Sequence, residues 1–326
     1  MLQVLIIGAG NIAGGFDANR PSSDLPFSHA GAYCRHGGFR VLGCVEPNEE
    51  TRKNFMARWN VEVGFASTAE ALNASLRYDV ISICSPTMAH EADMASALLL
   101  EPRLLFCEKP VTPSLESSIS ILERFDRAGI PVVVNYTRRW DSVIQGVASQ
   151  LKAGAWGAVR SASAVYTKGI LNNGSHMIDL LHLLLGPLHV LAAGAPIVDM
   201  WKDDPSIPAF LMTENAVPVF LNCGYAQDYA LFELEIVTEH GVLTMEDGGL
   251  AWRIRRTVDS PTFNGYKNLN HGSYSPGDLQ AATLAAVREI HQVLTQGGTL
   301  SSSGENALAA QRVCESIRTM ANRSQN

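Results

Sequence analysis

The stretch Val4-Leu5-Ile6-Ile7-Gly8-Ala9-Gly10-Asn11-Ile12-Ala13 decides the fold. An unbroken apolar run ended by glycine reads as a short parallel strand buried on both faces. Gly8-x-Gly10-x-x-Ala13 then reads as the turn from that strand into a helix, the context a dinucleotide-binding turn requires. Each small residue has its own reason. Gly8 permits the tight turn, Gly10 lets the backbone approach a pyrophosphate, and Ala13 allows close helix–strand packing. A helix N-terminus here would offer free N–H groups and a positive dipole end to phosphate. Gly8, Gly10, Asn11 and Ile12 are therefore candidate cofactor contacts. A glycine-rich turn with no ligand has the same local look, so the units that follow carry weight.

Working outward, the pattern alternates. Strands are read at Arg40–Val45, Val80–Cys84, Leu104–Cys107 and Val132–Asn135, with helices at Glu49–Trp59, Thr68–Ser75, His90–Leu100 and Leu115–Ala128. This alternation predicts an α/β chain opening with a doubly wound parallel sheet of Rossmann type over residues 1–135. Residues 136–326 change character. Val159–Tyr166, Val217–Tyr225, Leu231–Thr238 and Leu243–Glu246 read as strands with one helix among them, His176–Leu185. Such runs favour an antiparallel or mixed sheet. Helices Leu279–Leu294 and Glu305–Met320 close the chain, the last of them able to pack back on the first domain. Thr257–Pro276, rich in Asn, Gly, Ser and Tyr, reads as a loop.

The bulk numbers set limits. With 326 residues, 46% of them hydrophobic and 17% charged, the chain can build two cored domains. A net charge of −7 with no basic run argues against nucleic acid as a partner. No apolar stretch reaches the roughly 20 residues that span a bilayer, so no membrane association is expected. The N-terminus lacks the basic region of a secretory leader. The six cysteines form no CxxC pair, which fits reduced thiols and a cytoplasmic setting.

Strand-end logic supplies further candidates, because open α/β sheets bind ligands at the carboxyl ends of their strands. Glu46 ends the second strand. A carboxylate there accepts from ribose hydroxyls and repels a 2′-phosphate, so NAD is expected rather than NADP. Glu46 stands well beyond the usual spacing of roughly 20 residues, and Phe16–Ser28 reads as the inserted loop that accounts for the excess. Ser85, Pro86, Thr87 and His90 follow the third strand as cofactor contacts. Glu108-Lys109-Pro110 follows the fourth, placing Glu108 and Lys109 in the crevice as further cofactor contacts. Arg138, Arg139 and Trp140 follow the fifth. An arginine there could meet a substrate anion and Trp140 could stack on a sugar face. Further on, Gly174-Ser175-His176-x-x-Asp179 puts His176 and Asp179 on one helix face. His182 turns away from that face, so no metal site is read.

Together, Gly8-x-Gly10, Glu108-Lys109-Pro110 and Gly174-Ser175-His176-x-x-Asp179 with Gly186 make the chain resemble the glucose-fructose oxidoreductase/inositol dehydrogenase/rhizopine catabolism (Gfo/Idh/MocA) family along nearly its whole length. The resemblance implies a Rossmann domain followed by a substrate-binding and oligomerisation domain with an open, mostly antiparallel sheet. It implies a homodimer or homotetramer, and hydride transfer between NAD(P) and a hydroxyl or keto group of a sugar, cyclitol or nucleotide-linked sugar. Lys109 matches the family's catalytic lysine and His176 its catalytic histidine. Asn172 stands where the family often has aspartate, and asparagine cannot carry a proton. Lys109, Arg139, Trp140, Asn172, His176 and Asp179 are the expected substrate contacts. An imidazole titrates near neutrality, so His176 is read as the base and Lys109 as the group that polarises the oxygen. Two other functions share these motifs: an NAD-using glycoside hydrolase and a non-catalytic NAD-binding regulator.

Overall fold

The computed structural model describes residues 1–21 and 23–323. The chain divides into two compact units. The first holds Met1–Trp140 and Gln280–Leu308, and the second holds Asp141–Leu279 and the chain from Ala309. Residues 280–308 therefore belong with the first unit, and the single cut at 135/136 becomes three crossings.

The first unit is built on a sheet of six strands: β1 (Leu2–Ile7), β2 (Phe39–Val45), β3 (Val63–Phe65), β4 (Val80–Ile83), β5 (Leu104–Cys107) and β6 (Val132–Val134). Their order is β3-β2-β1-β4-β5-β6, every pair parallel. All four residues of β4 and of β5 are buried, as strands covered on both faces must be. The helices between them are α1 (His29–His36), α2 (Glu49–Trp59), α3 (Thr68–Asn73), α4 (His90–Leu99) and α5 (Leu115–Arg127). In α5 the buried residues Ser118, Ile121, Leu122 and Phe125 recur at helical spacing, so one stripe packs inward. Ser114 caps it by accepting from Ser117 N at 3.1 Å, and Gly129 follows at φ +67°. Strand order reverses between β1 and β4, which sets the ligand crevice of such a sheet at their carboxyl ends.

The inserted loop read at Phe16–Ser28 stands here, so the helix opened by the glycine turn does not run on unbroken. Gly14 N and Gly15 N bond to Gly10 O, Phe16 N bonds to Asn11 O, and a short 3₁₀ turn covers Gly15–Asp17. The helix resumes only at His29. There His29 N bonds to Ile12 O at 3.0 Å and Ala30 N to Ala13 O at 2.9 Å. His29 and Ala30 thus take the places residues 16 and 17 would hold in a continuous helix. Residues 16–28 are an excursion spliced into the first helix, which is why Glu46 lies so far along the chain. Buried Asp17 ties the excursion shut, accepting from Phe27 N at 3.0 Å and from Ser28 N at 2.8 Å.

The second unit opens with α6 (Ser142–Lys152) and β7 (Val159–Tyr166). A π-helical turn over Gly169–Gly174 leads directly into α7 (Ser175–Leu185). Then come β8 (Leu188–Ala193), β9 (Ala209–Thr213), β10 (Pro218–Cys223), β11 (Phe232–Thr238), β12 (Gly241–Glu246), β13 (Ala251–Asp259), β14 (Lys267–Leu269) and β15 (Ser273–Pro276). They make a nine-stranded sheet, β14-β13-β12-β11-β7-β10-β9-β8, with β15 paired to β13. Only β7 and β10 pair in parallel. Burial alternates strictly along β9 and β11, so one face carries this unit's core. The stretch Thr257–Pro276 is not a plain loop. It holds the end of β13 and two strands whose residues are all exposed. Strands with no buried face lack the apolar alternation that betrays a strand in sequence.

Two helices complete the chain, α8 (Ala282–Gln296) in the first unit and α9 (Gly304–Arg323), divided between the units after Leu308. The segment between them runs along β6. Val134 N bonds to Ser302 O, Ser302 Oγ donates to Val134 O at 2.6 Å, and Ser303 bridges Val133.

Candidate functional site

In the first unit the candidate residues sit on loops at the carboxyl ends of β1, β2, β4 and β5. Gly8 has φ +90°, and a Cβ there would fall 2.5 Å from Ser85 N. The turn after β1 therefore needs glycine against the loop after β4. Gly10 differs: a Cβ there would meet nothing within 4 Å. Its outer side is open space, the condition for a ligand to approach the backbone. Asn11 is exposed, Ile12 half-buried and Ala13 fully buried. Glu46 Oε2 accepts from Ala9 N at 3.1 Å, and Oε1 accepts from Asn48 N at 3.0 Å. The carboxylate that ends β2 is thus bonded to the glycine turn itself. Arg52 Nη1 donates to Glu46 O at 2.5 Å.

After β4, Ser85 Oγ donates to Asp93 Oδ2 at 2.6 Å, and Pro86 leads into a 3₁₀ turn at Thr87–Ala89. Burial raises the Asp93 pKa above the ordinary aspartate value, against the Ser85 hydrogen bond and the nearby His90. His90 is only 1% exposed. Its Nε2 lies 2.9 Å from Ser85 O, and its Nδ1 lies 2.9 Å from Pro110 O. It is a strut between the loops after β4 and β5, so any effect on a cofactor passes through those loops.

After β5, the Lys109–Pro110 peptide is cis. Lys109 is half-buried. Glu108 Oε1 lies 2.9 Å from His29 Nε2 and accepts from Asn135 Nδ2 at 2.6 Å. Burial alone would raise the Glu108 pKa. The His29 and Asn135 hydrogen bonds and the Lys109 charge outweigh it and hold the group below the ordinary glutamate value. Cys84 and Cys107 beside it are buried, with thiol pKa values pushed well up, first by burial and then by the Glu108 charge. Neither is an activated nucleophile.

Arg139 and Trp140, read as substrate contacts, are both buried in the first unit. They are 6% and 7% exposed. Arg139 Nη1 donates to Ser301 O at 3.2 Å, and the Trp140 ring meets Phe106 edge-on at 6.2 Å between centroids. Each thus makes contacts within the first unit. Sequence could not separate this from a site role, because Arg and Trp at a strand end do both.

In the second unit, Asn172 lies in the π-helical turn, and His176 and Asp179 lie in the first turns of α7. Asn172 and His176 are half-buried and Asp179 is 1% exposed. Asn172 Nδ2 donates to Lys168 O at 3.2 Å. A carboxylate does reach this turn, from a residue no motif marks. Asp204 accepts from Leu171 N at 2.8 Å and from Asn172 N at 2.9 Å. It closes on Gly169, where a Cβ would fall 2.2 Å from its Oδ2. His29 and Asp204 were missed for one reason: their partners lie 79 and 32 residues away. Among the described residues, no group of three or more His, Cys, Asp or Glu could hold a metal ion, and no helix is long and apolar enough to cross a membrane.

Residues 2–136 match the Gfo/Idh/MocA profile, described as an oxidoreductase family with an NAD-binding Rossmann fold. D-Apiose dehydrogenase of Paraburkholderia graminis is 25% identical over 66% of this chain, and the match spans 62% of that protein, less than two thirds of its length. Inositol 2-dehydrogenase of Rhizobium meliloti is 21% identical over 91% of this chain and 94% of its own. Among solved structures, an oxidoreductase from Agrobacterium radiobacter in complex with NAD+, L-tartaric acid and magnesium superposes with a TM-score of 0.79. It is 20% identical and covers 99% of this chain and 97% of its own. This last likeness concerns the fold.

Proposed function

We propose that this chain, whose residues 2–136 match the Gfo/Idh/MocA oxidoreductase family, is an NAD-dependent dehydrogenase of a sugar, a cyclitol or a nucleotide-linked sugar. The observation that carries the reading lies on one sheet. A glycine turn open on its outer side follows β1, and a lysine follows β5 at the same edge, two strands away. That edge is where parallel sheets place cofactor and chemistry together. In this reading the first unit holds the cofactor. Glu46 favours NAD, since its negative charge would meet the 2′-phosphate of NADP. The substrate class follows the names of the relatives, which act on D-apiose and inositol.

Gly8, Gly10, Asn11 and Ile12 would hold the pyrophosphate, and Glu46 the adenosine ribose. When bound, the nicotinamide supplies hydride acceptance or donation. The chain's own residues handle the proton. Oxidising an alcohol strips a proton from its hydroxyl, so a base is required. By its match to the family's catalytic histidine, His176 is given the role of base; by its match to the family's lysine, Lys109 is given that of binding the reacting oxygen and offsetting the negative charge that develops there. Asp179 and Asn172 orient the substrate beside them.

The test is NADH formation with D-apiose, the inositols and a panel of nucleotide sugars. Lys109→Ala and His176→Ala should each cut turnover by about 100-fold or more, the range general acid–base groups contribute. NAD affinity should stay within about threefold. Near-normal turnover in both variants would overturn the assignment.

A further inference from the structure

The glutamate ahead of Lys109 moves no proton in this scheme, yet the fold holds it from two sides. Glu108 Oε1 lies 2.9 Å from His29 Nε2 and accepts from Asn135 Nδ2 at 2.6 Å. His29, at the start of α1, is 0% exposed, and its ring lies 4.3 Å from that of Phe106 between centroids. Asn135, just past β6, is 2% exposed. An ionised carboxylate can only accept, so His29 Nε2 carries the proton it shares with Glu108, while its buried Nδ1 has no hydrogen-bond partner among the described residues. Burying two polar side chains is costly, and both address one carboxylate oxygen.

We propose that His29 and Asn135 are positioning residues for Lys109, acting through Glu108: their two hydrogen bonds fix its Oε1 and share its negative charge, so that less of that charge falls on the neighbouring ammonium. The proposal rests on Lys109 being the group that engages the substrate oxygen. The physics is reciprocal. Lys109 stabilises the Glu108 anion, so the Glu108 anion stabilises the Lys109 cation. A lysine that must turn its charge toward a substrate oxygen is held back by an unshielded anion beside it, which competes for the same ammonium. Two donors on Oε1 spread that charge and fix the carboxylate in one orientation. The titratable groups facing Glu108 are His29 from α1, Cys84 after β4, Cys107 at the end of β5, and Lys109. Both thiols are held neutral by burial, so His29 and Lys109 are the partners that count.

Competitive acetylation of the full chain with acetic anhydride across pH, followed at the Lys109 peptide by mass spectrometry, reads this without needing the substrate. His29→Phe keeps a ring against Phe106 and removes the donor. Asn135→Leu removes the other donor. Each should move the Lys109 labelling midpoint to higher pH and slow labelling at neutral pH by about threefold or more, half a logarithmic unit. NAD binding should persist in both. His29→Gln, whose amide N–H reaches the place of Nε2, should return the curve to wild type. Curves of His29→Phe and Asn135→Leu that coincide with wild type overturn the proposal. So do equal shifts in the Phe and Gln variants, which would mean the ring matters and the donor does not. Should His29→Phe fail to fold, Asn135→Leu decides alone. Intact turnover in Lys109→Ala would instead sink the dehydrogenase assignment, leaving the labelling result to stand or fall separately.

Discussion

Single side chains carry the chemistry, and two of them make separable predictions. Glu46 bonds to Ala9 N and Asn48 N, so it shapes the turn as well as charging it. Glu46→Gln keeps an amide oxygen for one of those N–H groups and removes the charge. The NAD-over-NADP preference, measured as the ratio of the two dissociation constants, should fall by on the order of tenfold, as expected for losing one repulsive charge near a phosphate. A ratio unchanged in Glu46→Gln would mean that shape, not charge, selects the cofactor. Glu108 makes the second prediction. Its folded pKa is lowered: the hydrogen bonds from His29 and Asn135 and the Lys109 charge outweigh burial, the largest influence on the group and an opposing one. A lowered carboxylate stabilises the fold fully above its unfolded value, about 4.3, and loses that contribution as pH falls through the folded value. Wild type should therefore be more stable than Glu108→Gln at neutral pH, with the gap closing as the solution is acidified below that value. Denaturant melts at a series of pH values measure it, and a gap indifferent to pH would deny the ionised Glu108 its role.

At the scale of elements, the turn after β1 separates what the fold needs from what a ligand needs. Gly8→Ala forces a side chain into φ +90° and onto the backbone of Ser85. It should cost about 1–3 kcal/mol or more in a denaturant melt. Gly10→Ala meets nothing, so stability should hold within about 0.5 kcal/mol while NAD binding weakens. Equal effects on stability would contradict the open space above Gly10. The excursion at 16–28 gives a bolder test. Deleting Phe16–Ser28 joins Gly15 to His29, and the bonds from His29 N to Ile12 O and Ala30 N to Ala13 O then become ordinary helical ones. The shortened chain should fold and bind NAD, as cofactor fluorescence titration would show. These elements also mark what sequence can tell. The glycine turn, the strand runs and the lysine loop are local patterns, and local patterns are legible. The start of α1 was not, because its hydrogen-bonded continuation lies across the excursion. β14 and β15 were not, because all their residues are exposed and no burial pattern marks them. The His29–Glu108 contact was not, because nothing in either neighbourhood names the other.

At the scale of the whole molecule, chain order and structural membership part company. The first unit is not finished by residue 140. β6 is the last strand of its sheet, and its outer edge is taken up by residues 302 and 303, which arrive after the entire second unit. Ser301 O accepts from Arg139, Glu289 Oε1 accepts from Ser301 N at 2.8 Å, and Arg103 Nη2 donates to Leu294 O at 2.6 Å. These bonds bind α8 and the segment after it to the parallel sheet. Sequence placed 280–308 with the second half because the chain visits it last, and nothing in its composition says otherwise. A consequence follows for fragments. Residues 1–140 alone would expose Val132–Val134 as an apolar strand edge, with the Val134 N–H and C=O unsatisfied and Arg139 without its Ser301 acceptor. That fragment should aggregate or melt without cooperativity. The same fragment joined to 280–308 through a short linker should unfold cooperatively and bind NAD, since the glycine turn, Glu46, Glu108 and their supports all lie within it. Circular dichroism melts and cofactor titration of the two fragments decide the matter. Equal stability would mean that the late segment merely rests on the sheet edge.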